Sequence, residues 1–492
     1  MPDETKSIDG TARILKNSIA MFAASLVAKG GGLVATILVA RYLGASSLGV
    51  FAVVMAVALL LEILSPLGQQ EVIIRAIARD RSQVLVHWIN ASASTVLTAV
   101  LFGVGLVVYL HAAAPRADAE LAMYIVAATL PIAGLNFLAQ AVLQGVERMQ
   151  YQTMATSIGF TLGLLSLWIL LESGAGVWSA FLGRTIYHTV SLLILSRTIL
   201  RYAKETGVQR VWRPNSSQCR STLVVAVPFA LQRLLTEGLQ RLNIIILPLL
   251  VTLEAVGQFN AALQITQATS TIIPMMMMTL LPVFARSYSN DPEKSAIMAH
   301  KVLKILLVLI FPFALVITVA AERIIPLLFG PGYEGSVLAL QLVVWSQVFL
   351  AVDSVMKQKM IASGNERAMV WRSTLGLLAS VALTIALGMV LGMPGVAAAV
   401  VFASAFLVIM DARFVRKRVG TINISRAAGK PLVGVLLAGV VAVAFADQGL
   451  WISLPAAAGA YTVFIFLFRT FSADELLLFK QLFQRLLGRF AR

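Results

Sequence analysis

The chain has 492 residues, of which 59% are hydrophobic and only 13% charged. Soluble domains run about 45–50% apolar and about 25% charged, so neither a string of soluble domains nor a disordered chain fits. The single cysteine excludes an internal disulfide, and His87, His111, His188 and His300 are too scattered for a metal cluster.

What remains is an all-α polytopic membrane protein. A membrane helix needs about 20 mainly apolar residues, and fourteen such stretches are predicted. In chain order they lie near 16–40, 48–68, 84–110, 121–143, 153–171 and 176–196, then 223–248, 255–283, 302–321, 336–356, 369–391 and 394–412, and last 431–446 and 452–468. A transmembrane barrel would show alternating segments of about ten residues instead.

The net charge, 39 − 23 = +16, reads as topology rather than as nucleic-acid binding. Basic residues crowd the even-numbered loops: Arg75, Arg79 and Arg81 after span two, Arg197 to Arg220 after span six, and Arg413 to Lys430 after span twelve. The odd-numbered loops hold only Arg41, Arg116 and Arg323. Both termini are therefore expected in the cytoplasm, where anionic lipids are the partners of the basic loops. Met1–Thr11 does not read as a secretory signal, because the span behind it is too long. The expected organisation is a cytoplasmic N-terminus (1–15), an N-lobe (16–200), a basic linker (201–222), a C-lobe (223–412), a basic loop (413–430) and two further spans (431–468). A tail over 469–492 opens on the capping pattern Ser472-Ala473-Asp474-Glu475 and continues as an amphipathic helix for the membrane surface.

The two lobes look like copies of one six-helix unit. Leu48-Gly49-Val50-Phe51 opens span two and Val256-Gly257-Gln258-Phe259 opens span eight, an offset of 257 − 49 = 208. Gly145-Val146-Glu147-Arg148 follows span four and Gly364-Asn365-Glu366-Arg367 follows span ten, an offset of 364 − 145 = 219. The difference fits a longer outer loop that holds Phe329-Gly330-Pro331-Gly332-Tyr333. Six is even, so the copies share one orientation, a transporter architecture with its substrate site between the halves.

Arg41-Tyr42-Leu43-Gly44, Leu48-Gly49-Val50-Phe51 and Pro66-Leu67-Gly68 with Arg75 resemble the first-half signature of the polysaccharide transport, or O-antigen flippase, family. Ile325-Pro326-Leu327-Leu328-Phe329-Gly330 and Ser363-Gly364-Asn365-Glu366-Arg367 add to it, and the resemblance covers roughly 12–412. That family belongs to the multidrug/oligosaccharidyl-lipid/polysaccharide exporter superfamily. The resemblance implies a flippase that moves undecaprenyl-diphosphate-linked oligosaccharide from the cytoplasmic to the outer leaflet of a bacterial inner membrane by alternating access. It also admits a coupling H+ or Na+ and polysaccharide polymerase machinery as partners. No cofactor, metal or nucleic acid is expected.

A diphosphate-sugar head needs a wet, cationic path through about 30 Å of hydrocarbon. Charges inside spans are therefore the candidates. Lys29 sits mid-span beside Gly30, Gly31 and Gly32. Arg233, Glu237 and Arg241 fall four apart on one face of span seven, with Gln232 and Gln240 beside them. They read either as a diphosphate cradle or as a self-neutralised ladder. Arg184 and His188 share a face of span six, and Gln264 and Gln267 with Asn260 give span eight a polar face suited to sugar hydroxyls or to helix contacts. Lys29, Arg184, Arg233, Arg241, Gln264 and Gln267 are the expected substrate contacts; Glu62, Glu237 and His188 are the expected coupling or gating groups. Shifting Lys29 by 208 lands on Glu237, which suggests a Lys–Glu pair across the cavity. Asp353 and Lys357 read as a local salt bridge.

Two other readings compete. A cation-coupled drug exporter of the same superfamily would want an acidic or aromatic interior, and here the interior is cationic; a lipid-II-type flippase differs only in head group. A membrane glycosyltransferase, polymerase or ligase needs acid–base residues on a sizeable outer loop, and the sequence offers no credible pair.

Overall fold

The computed structural model describes residues 2–113, 117–208, 213–270, 273, 277, 292–362, 366–418, 422–468 and 470. Among these residues the regular structure is entirely helical. The helices are α1 (Pro2–Leu64), α2 (Gln69–Arg79), α3 (Val84–Ala113), α4 (Ala117–Gly145), α5 (Met149–Glu172), α6 (Trp178–Glu205), α7 (Ser216–Ile246) and α8 (Leu253–Thr269). After them come α9 (Pro292–Phe329), α10 (Gly335–Val343), α11 (Ser346–Ala362), α12 (Glu366–Leu391), α13 (Met393–Arg418), α14 (Ile424–Ala444) and α15 (Leu450–Leu467).

Among the described residues ten helical stretches are long and apolar enough to cross a membrane, or eleven with the bent pair Ser216–Gly238 and Arg241–Leu249. The chain is a multi-pass membrane protein. The first stretch, Ser25–Arg79, holds two of the expected spans. They are the two arms of α1, joined at Gly44, whose φ of 79° and ψ of 178° break the helix. Only glycine takes that conformation without a Cβ clash. Two expected spans miss the apolarity or length test. Arg184, His188, Arg197 and Arg201 make α6 too polar, and α8 has 17 residues before most of its expected continuation passes outside the described residues. Counting these, all fourteen expected spans are represented. Span ten is two helices, α10 and α11, rather than one. The tail helix expected over 469–492 lies, Thr470 apart, outside the described residues.

The helices pack as two compact units. The first is Met1–Ala268 with Phe329–Tyr333, and the second is Thr269–Leu328 with Glu334–Arg492. Packing therefore groups α7 and most of α8 with α1–α6, where the repeat places them in the second copy. In the first unit Ile73, Ile77, Leu138, Val142, Leu195 and Ile199 form one apolar core. In the second, Leu303, Leu306, Phe311, Val352 and Val355 form another, joined by Tyr461 of α15. The Tyr461 hydroxyl donates to the Val308 carbonyl at 2.9 Å, so a helix outside the repeat is tied to α9.

Span two is interrupted at Ser65–Gly68, where Leu67 and Gly68 both have positive φ. The break is satisfied from α3: Thr98 donates to the Ser65 carbonyl, Gln69 donates to Thr95 at 3.3 Å, and Ser94 donates to Gln69 at 2.8 Å. Irregular backbone at membrane depth needs such partners, since no water replaces them.

Candidate functional site

The strongest cluster lies in the first unit, between the second arm of α1 and α6. Glu62 is 1% exposed, and the Arg184 guanidinium grips its carboxylate as a fork, with Nε donating to Oε1 at 2.8 Å and Nη2 donating to Oε2. His188, one turn on from Arg184 and fully buried, brings Nε2 to 3.5 Å from Glu62 Oε2. Its other nitrogen, Nδ1, is 3.2 Å from Asn136 Nδ2, and Ser191 donates to Asn136 Oδ1 at 2.9 Å. With its Oδ1 taken by Ser191, Asn136 offers an N–H to His188 Nδ1. A neutral His188 then carries its proton on Nε2, toward Glu62. The rings of Tyr187 and Phe137 close around the imidazole, at centroid distances of 4.6 and 5.9 Å. The fourfold spacing of Arg184 and His188 thus aims both at one carboxylate, which lies 122 residues before Arg184.

Arg241 stands near this cluster, within electrostatic range of Glu237, Arg184 and Glu62. Its Nε is buried and has no hydrogen-bond partner among the described residues. It lies on α7 just past a bend of 59° between Ser216–Gly238 and Arg241–Leu249.

Arg233 behaves differently. Its Nη2 lies 3.0 Å and its Nε 3.2 Å from Glu71 Oε1 on α2. Beside this pair Arg75 of α2 lies over the Phe229 ring, 5.1 Å from its centroid. The Arg233–Glu237–Arg241 face is therefore not self-contained: Arg233 turns to α2, while Arg241 stays within electrostatic range of Glu237 on its own helix and of Arg184 and Glu62. Lys29 is half-buried on the first arm of α1, and Gln264 and Gln267 are half-buried on α8. The side chain of Gln240 lies outside the described residues.

In the second unit the expected Asp353–Lys357 pair is present at 2.8 Å. It belongs to a larger chain of charges. Arg372 of α12 reaches Asp353 with Nη2, and its Nε lies 2.6 and 2.8 Å from the two oxygens of Asp411 on α13. Sequence reasoning missed Arg372 and Asp411, although both lie inside apolar stretches, the same signal that picked out Lys29. Lys359 is 2% exposed, and its Nζ has no hydrogen-bond partner among the described residues.

Sequence reasoning also missed a polar knot at the start of α7. Asn90 of α3 donates to Gln218 at 2.6 Å, accepts from the Asn215 backbone N–H at 2.7 Å, and its carbonyl accepts from the Cys219 thiol at 3.3 Å. One side chain on α3 so fixes the entry into α7.

These features define an all-helical, multi-pass membrane protein with ion pairs buried among its helices. The polysaccharide biosynthesis protein family matches residues 14–288, more than half of the chain, and the chain belongs to that family. The resemblance carried by Arg41–Gly44 and Leu48–Phe51 is thereby borne out. In fold the chain is similar to a lipid II flippase, MurJ, in an inward closed conformation, with a TM-score of 0.74 at 15% identity over 92% of this chain and 98% of that one. It is similar to an inward-facing multidrug resistance MATE family transporter of the MOP superfamily, with a TM-score of 0.64 at 17% identity over 81% of this chain and 98% of that one. A MOP superfamily transporter from Pyrococcus furiosus, described as having a binding pocket of reverse polarity, gives 0.53 at 17% identity over 84% and 96%. At such identities the likeness is one of fold. No curated protein matches the chain in sequence.

Proposed function

We propose that the chain is a flippase that carries an undecaprenyl-diphosphate-linked oligosaccharide repeat unit from the cytoplasmic to the outer leaflet of a bacterial inner membrane by alternating access. The observation that carries the reading is Arg241: a largely buried guanidinium with an unused donor, within electrostatic range of the Arg184–Glu62 pair. An unsatisfied guanidinium donor inside a membrane helix suits an anionic head group, which supplies the missing acceptor. Arginine matches phosphate oxygens in bidentate fashion.

In this reading Arg241 and Lys29 hold the diphosphate, and Arg184 joins them when the substrate competes with Glu62. Arg233 meets the head group only after leaving Glu71. Gln264 and Gln267 serve the sugar hydroxyls. Glu62, His188 and Glu237 are the groups through which an ion would couple. Lys29 and Glu237 form the pair that exchanges as the lobes rock; exchanging their charges should restore what each single reversal loses. The family membership supports the polysaccharide substrate class. The cationic interior speaks against a cationic drug as cargo, since the buried carboxylate Glu62 is already held by Arg184.

The test is a leaflet-accessibility assay in cells lacking the protein. Lipid-linked oligosaccharide should accumulate on the cytoplasmic face, be cleared by the wild type, and persist with Arg241→Gln or Lys29→Ala. A rise in drug sensitivity with no accumulated glycolipid would instead assign the chain to drug export. Accumulation of lipid II would make lipid II the cargo.

A further inference from the structure

The five residues Phe329–Tyr333 pack apart from their neighbours in sequence. The chain on both sides belongs to the second unit, whereas these five belong to the first. They are firmly placed there. Tyr333 is 2% exposed and Phe329 is equally buried, with their rings 5.6 Å apart. The Tyr333 hydroxyl donates to the Ala40 carbonyl at 3.3 Å. Ala40 lies in the last turn of the first arm of α1, just before the break at Gly44, where carbonyls lose their helical partners. Tyr333 so acts as a cap supplied from far along the chain. At the other side Gln258 of α8 donates to the Gly332 carbonyl at 3.0 Å. Gln258 follows Gly257, which crosses α1 at Gly49. The path of the segment uses Gly330 and Gly332, with φ of 88° and 87°.

We propose that Phe329–Tyr333 is a strap that holds α1 and α8 together at the Gly44 end of the first unit, and that it is released when that end opens to the outside. The inference rests on the alternating-access reading and adds to it the element that keeps one side shut. Three features fit a strap better than ordinary core. The segment is donated by the chain of one unit to the packing of the other. It touches both helices whose separation would open that end. Its polar anchors are two neutral hydrogen bonds to carbonyls, which water can take over on release. Burial pushes the Tyr333 phenol up, so the hydroxyl stays a donor through neutral and mildly alkaline conditions. The strap is thus expected to answer to helix movement and not to pH.

The experiment uses the full chain with Cys219→Ser and Lys29→Cys, in membranes of known orientation. A membrane-impermeant maleimide is applied from one side or the other. With the strap intact, the Lys29→Cys thiol should react slowly from the outer face. Tyr333→Phe, which keeps the ring, should speed outer labelling several-fold, and Tyr333→Phe with Gln258→Ala should speed it further. Gln258→Ala alone keeps both rings and serves if the tyrosine variant folds poorly; thermal melting identifies that case. Unchanged outer labelling in folded variants, with the thiol still reachable from the cytoplasmic face, would overturn the strap and leave the transport reading standing. If the thiol is reached from neither face in any variant, the alternating-access reading fails, and the strap with it.

Discussion

Gly49 and Gly257 cross back to back, and they do so reciprocally. A Cβ on Gly49 would meet the Leu253 carbonyl oxygen at 1.9 Å, and a Cβ on Gly257 would meet the Ala45 carbonyl oxygen at 2.0 Å. Residue 45 is to 253 as 49 is to 257, an offset of 208 in both cases. Two matched residues that each touch the other's matched neighbour are the signature of a local two-fold axis. The repeat read from Gly-x-Phe therefore has a physical centre, and its copies meet there. The break at Gly44 has its counterpart at Thr252, where the chain turns into α8.

Carbon contacts become comfortable at about 3.5 Å, far beyond these distances. The atoms in the way are backbone, which cannot rotate aside. Gly257→Ala or Gly49→Ala should therefore force α1 and α8 apart and stop transport while the protein still reaches the membrane. Flipping assays beside membrane-fraction blots check this; full activity in Gly257→Ala would show that the crossing opens freely.

Glu62 and Arg184 form a buried pair, and removing one charge strands the other. Glu62→Gln should cost about 3–5 kcal/mol of stability. Glu62→Gln with Arg184→Gln should recover much of that loss, since the stranded charge is gone. Thermal unfolding in detergent reads both, and a double variant no more stable than Glu62→Gln would mean that the pair is not the source of the loss.

Arg372 serves two carboxylates in the second unit. Arg372→Gln leaves Asp353 and Asp411 to share Lys357 as their one remaining cation among the described residues. It should lower the melting temperature more than Asp411→Asn does, because that change removes one anion and keeps the Arg372–Asp353 contact. Equal effects would argue that only one of the two contacts carries weight.

Asn90 should control how exposed Cys219 is. Asn90→Ala removes the bonds to Gln218 and to the Asn215 N–H, so the first turn of α7 should fray from α3. The rate of Cys219 alkylation should rise several-fold under native conditions. An unchanged rate would mean that the apolar contacts of α7 suffice to hold it.

The fourteen spans were legible because hydropathy is a local property, and the repeat because its glycines are spaced along the chain. The pair Asp353–Lys357 was legible too, since fourfold spacing on a helix is local. Partners across long separations were not. Arg233 was expected beside Glu237 on its own helix, yet its carboxylate is Glu71, 162 residues away. Nothing in the period of α7 reports the side chains of α2. The sequence marks Glu62 as a coupling or gating group and Arg184 as a substrate contact, and the fold joins them. Phe329-Gly330-Pro331-Gly332-Tyr333 was visible as a motif, but its partner Ala40 is an ordinary apolar residue whose only contribution is a carbonyl.

The polarity of α6 also bears on how the protein is made. A helix that carries Arg184 and His188 enters a bilayer reluctantly on its own. The residue that neutralises Arg184 is Glu62, which has been synthesised by the time α6 emerges from the ribosome. Glu62 would thus help α6 into the membrane by neutralising Arg184, and a chain shortened to begin after Glu62 would be expected to leave α6 stranded at the translocon.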